Sequence, residues 1–230
     1  MQKLVVLTGA GVSAESGLKT FRDAGGLWEG HDVMDVASID GWHRNPALVL
    51  DFYNQRRQQA LQAKPNRGHQ LIAELEKYFE VIVITQNVDN LHEKAGSSAV
   101  IHLHGELFKC RSVADDKLIY DMDGWQLNQG DLCEKGAQLR PHIVWFGEAV
   151  PLLDRAICEV ASADLIIIVG TSLKVYPAAS LIQYAPDNIQ KYIIDPNMPN
   201  VTHISNVHCF EKRGSEGMKA VYELLTSSSK

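Results

Sequence analysis

The chain has 230 residues, 45% of them hydrophobic and 22% charged, ordinary proportions for a globular protein long enough to bury a sizeable core. A net charge of -6 speaks against a nucleic-acid binder, which would carry a basic face. The four cysteines Cys110, Cys133, Cys158 and Cys209 are widely spread, a pattern of reduced thiols rather than a disulfide framework. No apolar run approaches a membrane span and residues 4–7 are too short for a secretory signal, so a soluble cytoplasmic protein is expected.

Residues 3–7 read as a buried strand, followed by Thr8-Gly9-Ala10-Gly11-Val12-Ser13-Ala14-Glu15-Ser16-Gly17. A strand, a tight Gly-x-Gly turn and a helix start form a unit that cradles phosphate, because glycine lets the backbone approach and the helix N-terminus offers free N–H donors. Ala14 takes the place of the third glycine, an allowed substitute. On this signal alone, nucleotide binding and a plain tight turn both stand. Residues 18–31, with Phe21, Arg22, Gly25, Gly26 and Trp28, suggest a mobile lid.

Residues 32–79 read as helical. Asn45-Pro46 opens a helix to about Ala63, and Pro65 stops it. A second helix over 68–78 places Leu71, Ile72, Leu75 and Tyr78 on a core face. Residues 81–84 are β-branched, a fully buried strand, and at its end come Thr85-Gln86-Asn87-Val88-Asp89-Asn90-Leu91-His92. A short strand over 100–103 delivers His104 to the same edge, where ligands of open α/β sheets bind. Taken singly, Asn87 and Asp89 are helix caps and His104 a satisfied loop histidine; together on adjacent strand ends they read as a site.

Residues 106–140 are polar, acidic and without period, an inserted lobe. Residues 143–146 read as a strand, 151–162 as a helix, 164–169 as a strand ending in Gly170-Thr171-Ser172, 191–194 as a strand ending in Asp195, and 216–225 as a closing helix. The alternation predicts an α/β fold: a Rossmann-like, doubly wound parallel sheet with a smaller helical and irregular lobe formed by two insertions. The expected division gives 1–31, 80–104 and 141–230 to the dinucleotide-type domain, and 32–79 with 105–140 to the small one.

The order of motifs is specific. Residues 9–17, Phe21-Arg22, the run from Thr85 to Gly96, His104-Gly105, Arg140-Pro141, residues 144–148 and Gly170-Thr171-Ser172 together resemble the sirtuins, NAD-dependent protein lysine deacylases. The resemblance runs from Leu4 to about Met218. It implies NAD as cofactor and acyl-lysine-bearing proteins or peptides as partners, with neither nucleic acid nor membrane involved. Asn87 and Asp89 match the lining of the nicotinamide pocket, Asn87 also with a catalytic part, and Phe21 the aromatic over the ribose. His104 matches the general base that activates a ribose hydroxyl after the acyl oxygen has attacked the sugar carbon, a task suited to an imidazole near neutral pH. His102 is left a structural role. The implied NAD contacts are Gly9, Ala10, Gly11, Glu15, Phe21, Arg22, Trp28, Gln86, Asn87, Val88, Asp89, Gly170, Thr171, Ser172, Asp195, Asn197 and Gly214. Asp195 and Gly214 depart from the family's usual Asn and Ala.

Two further departures shape the reading. Most relatives carry two Cys-x-x-Cys pairs in the inserted lobe, whereas here Cys110 lacks its partner at Val113 and Cys133 stands one place off. Two thiolates are too few for a closed tetrahedral zinc site, so no metal is expected, and the lobe would pack around Leu118, Ile119, Tyr120 and Trp125. On the predicted helix, Tyr53 and Arg56 are three apart and share a face. They resemble the Tyr-x-x-Arg of desuccinylase-type (class III) sirtuins, with Ala24 leaving room. That implies removal of succinyl or malonyl groups ahead of acetyl, since guanidinium plus phenol suits a terminal carboxylate; a solvated basic face spanning Arg56 and Arg57 is the plain alternative. Val144 and Phe146 are expected to touch substrate, entering as an added strand between residues 146–148 and 173–176. An ADP-ribosyltransferase, a nicotinamide-dependent dehydrogenase and a non-catalytic NAD-binding module are the rival functions.

Overall fold

The structure, a computed structural model, describes residues 1–19, 27–173, 175–202 and 204–227. Phe21, Arg22 and Ala24 lie outside the described residues, as does Lys174.

In chain order the elements are β1 (Lys3–Thr8), α1 (Ala10–Ala14), β2 (Leu27–Trp28), β3 (His31–Asp32), α2 (Val33–Val36), α3 (Ile39–Arg44), α4 (Pro46–Gln62), α5 (Arg67–Glu74), β4 (Glu80–Thr85), α6 (Leu91–Ala95), β5 (Val100–His102), β6 (Gly105–Ser112), β7 (Ile119–Asp121), β8 (Leu139–Ile143), α7 (Leu153–Ala161), β9 (Leu165–Val169), β10 (Gln190–Ile194), β11 (Val207–Phe210) and α8 (Gly214–Ser227). Short 3₁₀ turns cover Leu75–Lys77 and Ala178–Tyr184.

Six strands form a parallel sheet in the order β11-β10-β9-β1-β4-β5. The chain runs outward from β1 through β4 to β5, then returns to the other side of β1 with β9. This reversal opens a crevice at the carboxyl ends of β1, β4 and β9, the place where doubly wound sheets bind ligands. The strands alternate strictly. Leu4, Val6, Val81, Val83, Ile167, Val169, Tyr192 and Ile194 enter the core on one face with α5 and α8, while Val5, Leu7, Ile84, Ile166, Ile168 and Ile193 pack on the other against α7. Both faces are covered, which is why these strands read as continuous apolar runs.

The second layer is an antiparallel sheet of β7-β6-β8 carrying α2, α3 and α4 on its side, with Val49, Phe52, Tyr53, Trp42, Trp145 and Leu107 in a third core. Asn45 caps α4, accepting from Leu48 N at 3.1 Å, with Pro46 at the first position, as the sequence predicts.

Four expectations are corrected. Residues 106–140 are not irregular throughout: they hold β6, β7 and the start of β8. A register shift between Gly105 and Cys110 breaks the alternation of β6, so its period-2 signal changes phase midway. The strand expected over 143–146 ends at Ile143, because Phe146 leaves the sheet to pair with Ala37 O and Ile39 N. Tyr78 is 40% exposed, since α5 stops at Glu74 and the tighter turn over Leu75–Lys77 changes the spacing, so that Leu75 and Phe79 take the core positions instead. The lobe does not pack around Ile119, which is 44% exposed; Leu107, Cys110, Leu127 and Cys133 are its buried residues.

Candidate functional site

A cavity of about 760 Å³ lies at the strand ends, between the parallel sheet and the smaller layer, within the size range of small-molecule sites. Its floor is the loop after β1. Gly9 N donates to Val169 O and Gly11 N to Gly170 O, so the loops after β1 and β9 lie backbone to backbone. Gly170 has φ 62°, and a Cβ there would fall 2.3 Å from Val12 N. Glycine is required for this close approach of two loops as well as for any ligand. Ala10, Glu15, Thr171, Ser172, Asp195, Asn197 and Gly214 line the same end.

After β4 the chain lays down a buried polar network. Asn87 Nδ2 donates to Gly9 O and to Ser13 Oγ, each at 3.1 Å. Asp89 accepts from Ser13 Oγ at 3.0 Å and Leu91 N at 3.1 Å. Burial pushes the Asp89 carboxyl above the usual carboxylate range despite those bonds. Behind them, Asn66 N donates to His69 Nδ1 at 3.4 Å, which leaves the proton on Nε2, 3.4 Å from Ser13 Oγ. Burial draws His69 down to about 4, keeping it neutral. Thr8 bonds Thr85 Oγ1 at 2.8 Å and His92 Nε2 at 3.0 Å. The sequence reading missed Thr8, Ser13, His69 and His92; Ser13 lies inside the glycine motif, but the two imidazoles join only through the fold.

The two histidines after β5 separate cleanly. His104 lines the cavity, and its Nδ1 lies 3.0 Å from Gln86 O. A carbonyl only accepts, so Nδ1 carries the proton and the neutral ring keeps Nε2 as an acceptor. Burial lowers the His104 pKa below the ordinary histidine range, against the bond to Gln86, and favours that neutral form. His102 instead meets Asn87 O at 3.0 Å and Glu93 Oε1 at 2.7 Å. Both its partners are acceptors. Burial opposes the charge, but the hydrogen bond and charge of Glu93 prevail and raise its pKa, so His102 is held as a structural cation.

The opposite wall comes from α4 and the segment after β8. Tyr53 is fully buried and its hydroxyl accepts from Trp145 Nε1 at 3.0 Å. Burial pushes the phenol up, so it stays a donor. Arg56 lines the cavity with Tyr53 and Trp28, whose ring packs edge-on against Phe52 at 5.0 Å and Tyr53 at 6.5 Å. Arg57 is not solvated: it is 0% exposed and donates to Asn54 Oδ1, Trp125 O and Leu107 O. Arg140, 3.5 Å above the Trp145 ring, is clamped by both oxygens of Glu148 at 2.7 and 2.9 Å. Val144 and Phe146 line the cavity rim with Tyr176, which is 69% exposed.

Every site residue expected from the sequence that lies among the described residues therefore reaches this one cavity, Gln86 and Val88 included. Cys110 and Cys133 are both buried, and Cys133 Sγ donates to Ser112 Oγ at 3.3 Å. Among the described residues no group of three or more His, Cys, Asp or Glu is placed where it could hold a metal ion. Among the described residues no helix is long and apolar enough to cross a membrane.

A model of the Sir2 family matches residues 9–177. An NAD-dependent protein deacylase of Helicobacter pylori is 56% identical over 219 residues, 95% of this chain and 93% of its own. Another, from Bacteroides thetaiotaomicron, is 54% identical over 231 residues, covering 98% of both. Among solved structures, a Sir2 homologue in complex with NAD superposes with a TM-score of 0.90 at 38% identity, covering 99% of this chain and 91% of that one. A Sir2 protein with a deacetylated peptide and 3′-O-acetyl ADP-ribose gives 0.82 at 33% identity over 96% and 92%.

Proposed function

The chain belongs to the Sir2 family and is an NAD-dependent protein deacylase, and we propose that within this activity it prefers lysines carrying acidic acyl groups, succinyl or malonyl, to acetyl-lysine. The observation that carries the reading is the pairing of His104 on one wall with Tyr53 and Arg56 on the other, across a single cavity.

NAD fits the strand-end half of that cavity. The glycine turn after β1 and the loop Gly170-Thr171-Ser172 would hold its phosphates, with Asp195, Asn197 and Gly214 beyond them for the adenosine. Asn87 and Asp89 would line the nicotinamide end, in orientations fixed by Ser13 and Gly9 O. When bound, NAD supplies an electrophilic sugar carbon and nicotinamide as leaving group. The protein's part is to position, to exclude water and to move one proton. His104 takes it at Nε2, because Gln86 O commits the other nitrogen and burial keeps the ring neutral. Residues 1–31, 80–104 and 141–230 serve in this reading as the NAD-binding unit, and 32–79 with 105–140 as the wall against which the acyl-lysine lies. Peptide would enter along residues 146–148 and 175–176 by backbone pairing, and the lobe is held by packing rather than metal.

Arg56 and Tyr53 present a guanidinium and a phenol donor to the acyl end, a pair suited to a terminal carboxylate. The test is a panel of acylated versions of one peptide incubated with NAD, with products weighed by mass spectrometry. Free nicotinamide and O-acyl-ADP-ribose are expected, fastest from the acidic acyl groups. Arg56→Met should cut kcat/KM on succinyl-lysine at least tenfold, about 1.4 kcal/mol, and spare acetyl-lysine. Equal losses on both substrates would refute the preference.

A further inference from the structure

Glu29 sits in the turn between β2 and β3 at φ 52°, a left-handed backbone that a residue with a Cβ adopts at some cost. From that turn its carboxylate reaches inward. Oε1 lies 2.8 Å from Arg56 Nη1, and the two side chains are 13% and 10% exposed. Oε2 lies 3.3 Å from Lys19 Nζ, whose side chain is 68% exposed. One carboxylate is thus shared between a buried cation and a solvated one.

The match to Arg56 is incomplete. Glu29 meets it through the single contact of Oε1 with Nη1, and Arg56 Nε, buried, finds no hydrogen-bond partner among the described residues. A guanidinium satisfied by its proper ligand would donate two parallel bonds. Arg56 lines the main cavity, whereas Glu29 lines a side cavity of about 280 Å³; Leu18, Lys19 and Gln59 are common to both.

We propose that Glu29 is the resident counter-anion of Arg56 and sets the acyl selectivity of the site by yielding Arg56 to the carboxylate of an acidic acyl chain. The inference rests on the reading of Arg56 as the acyl-carboxylate receptor. A buried arginine without an anion is costly, so an empty site, or one holding a neutral acyl chain, needs Glu29 in place. An acidic acyl group brings its own carboxylate, and two anions on one guanidinium repel. The side cavity gives the displaced Glu29 room, and Lys19 gives it a partner near solvent. Charge in the pocket is the same before and after the exchange. Acidic substrates must compete with Glu29 for Arg56; neutral ones need not.

The test compares succinyl and acetyl versions of one peptide on the full chain, using Glu29→Gln, Arg56→Met and the double variant. Glu29→Gln keeps the shape and removes the anion. It should lower KM for the succinyl peptide on the order of fivefold with little change in kcat, raising the succinyl-to-acetyl ratio. In the Arg56→Met background the same substitution should leave that ratio unmoved. An unchanged or falling ratio in Glu29→Gln, alongside a selective succinyl loss in Arg56→Met, would overturn the exchange while leaving the receptor standing. Equal losses on both peptides in Arg56→Met would overturn the receptor and the exchange with it. Should Glu29→Gln fail to fold, Lys19→Met reads the same exchange from an exposed site: a higher KM for the succinyl peptide alone supports it, and unchanged selectivity overturns it.

Discussion

The two walls of the cleft are built on different physical terms. The strand-end wall is mostly backbone, hydroxyls and neutral imidazoles: glycine loops in van der Waals contact, Ser13 and Thr8 bridging neighbours, His69 and His104 kept uncharged by burial. The lobe wall is built around buried guanidinium groups, Arg56 on Glu29, Arg57 on two carbonyls and Asn54, and Arg140 on Glu148 and the Trp145 face. The first tolerates no added volume, because its parts touch at backbone distance. The second tolerates no lost partner, because an unpaired charge or stranded carbonyl in a buried place costs far more than the pair contributes.

Gly170→Ala probes the first wall and should have the largest effect. The new Cβ would meet Val12 N at 2.3 Å and Gly11 C at 2.5 Å, in a φ 62° backbone that alanine resists, and neither neighbour is a flexible side chain. A loss of about 4 kcal/mol or more is expected, read by urea denaturation, together with loss of NAD binding by titration. Near-wild-type behaviour in both assays would show that the two strand-end loops are free to part.

Arg57→Met probes the second wall at a residue that does not line the cavity. Burial draws the guanidinium down to about 10, so it is still charged at neutral pH. Removing it takes a donor from Leu107 O and Trp125 O and leaves Asn54 Oδ1 with the Leu127 amide alone. The expected cost is about 2–3 kcal/mol, with NAD affinity kept and peptide turnover reduced, because Asn54 and Trp125 tie α4 to the loop before β8. Binding of NAD by titration and unfolding by denaturant separate the two walls. A cost below about 0.5 kcal/mol would mean that apolar packing alone carries the lobe.

This difference also governs what the sequence makes legible. Strands covered on both faces write themselves as apolar runs, and the polar residues released at their ends, from Gly9 to Asp195, could be named without coordinates. The lobe hides its order. The bulge in β6 shifts the alternation between Gly105 and Cys110, so three real strands look like an irregular excursion. Arg56 and Arg57 are neighbours in sequence and read as one basic face, yet on a helix they point about 100° apart; one reaches the cavity and the other is sealed against Trp125 O. Glu29 gives no local signal at all, because its partner is 27 positions away on another element. His69 and His92, 4.9 Å apart between ring centroids, are likewise joined only by tertiary packing.

The smallest expected effect is none, and it bears on the lobe wall. A structural zinc, if bound, would hold this region in place of the arginines. Cys110 lies across from Tyr120 and Pro141 in the small sheet, Cys133 hydrogen-bonds Ser112, and the positive Arg57 acts on Cys110, a neighbour that disfavours a divalent cation. Prolonged chelation followed by dialysis should leave both the melting temperature and turnover on an acylated peptide unchanged. Release of one zinc per chain with a falling melting temperature would place metal where we assign arginine and apolar contacts. Arg57→Met should then be nearly silent in the zinc-loaded protein, so the two experiments together decide which of the two holds the wall.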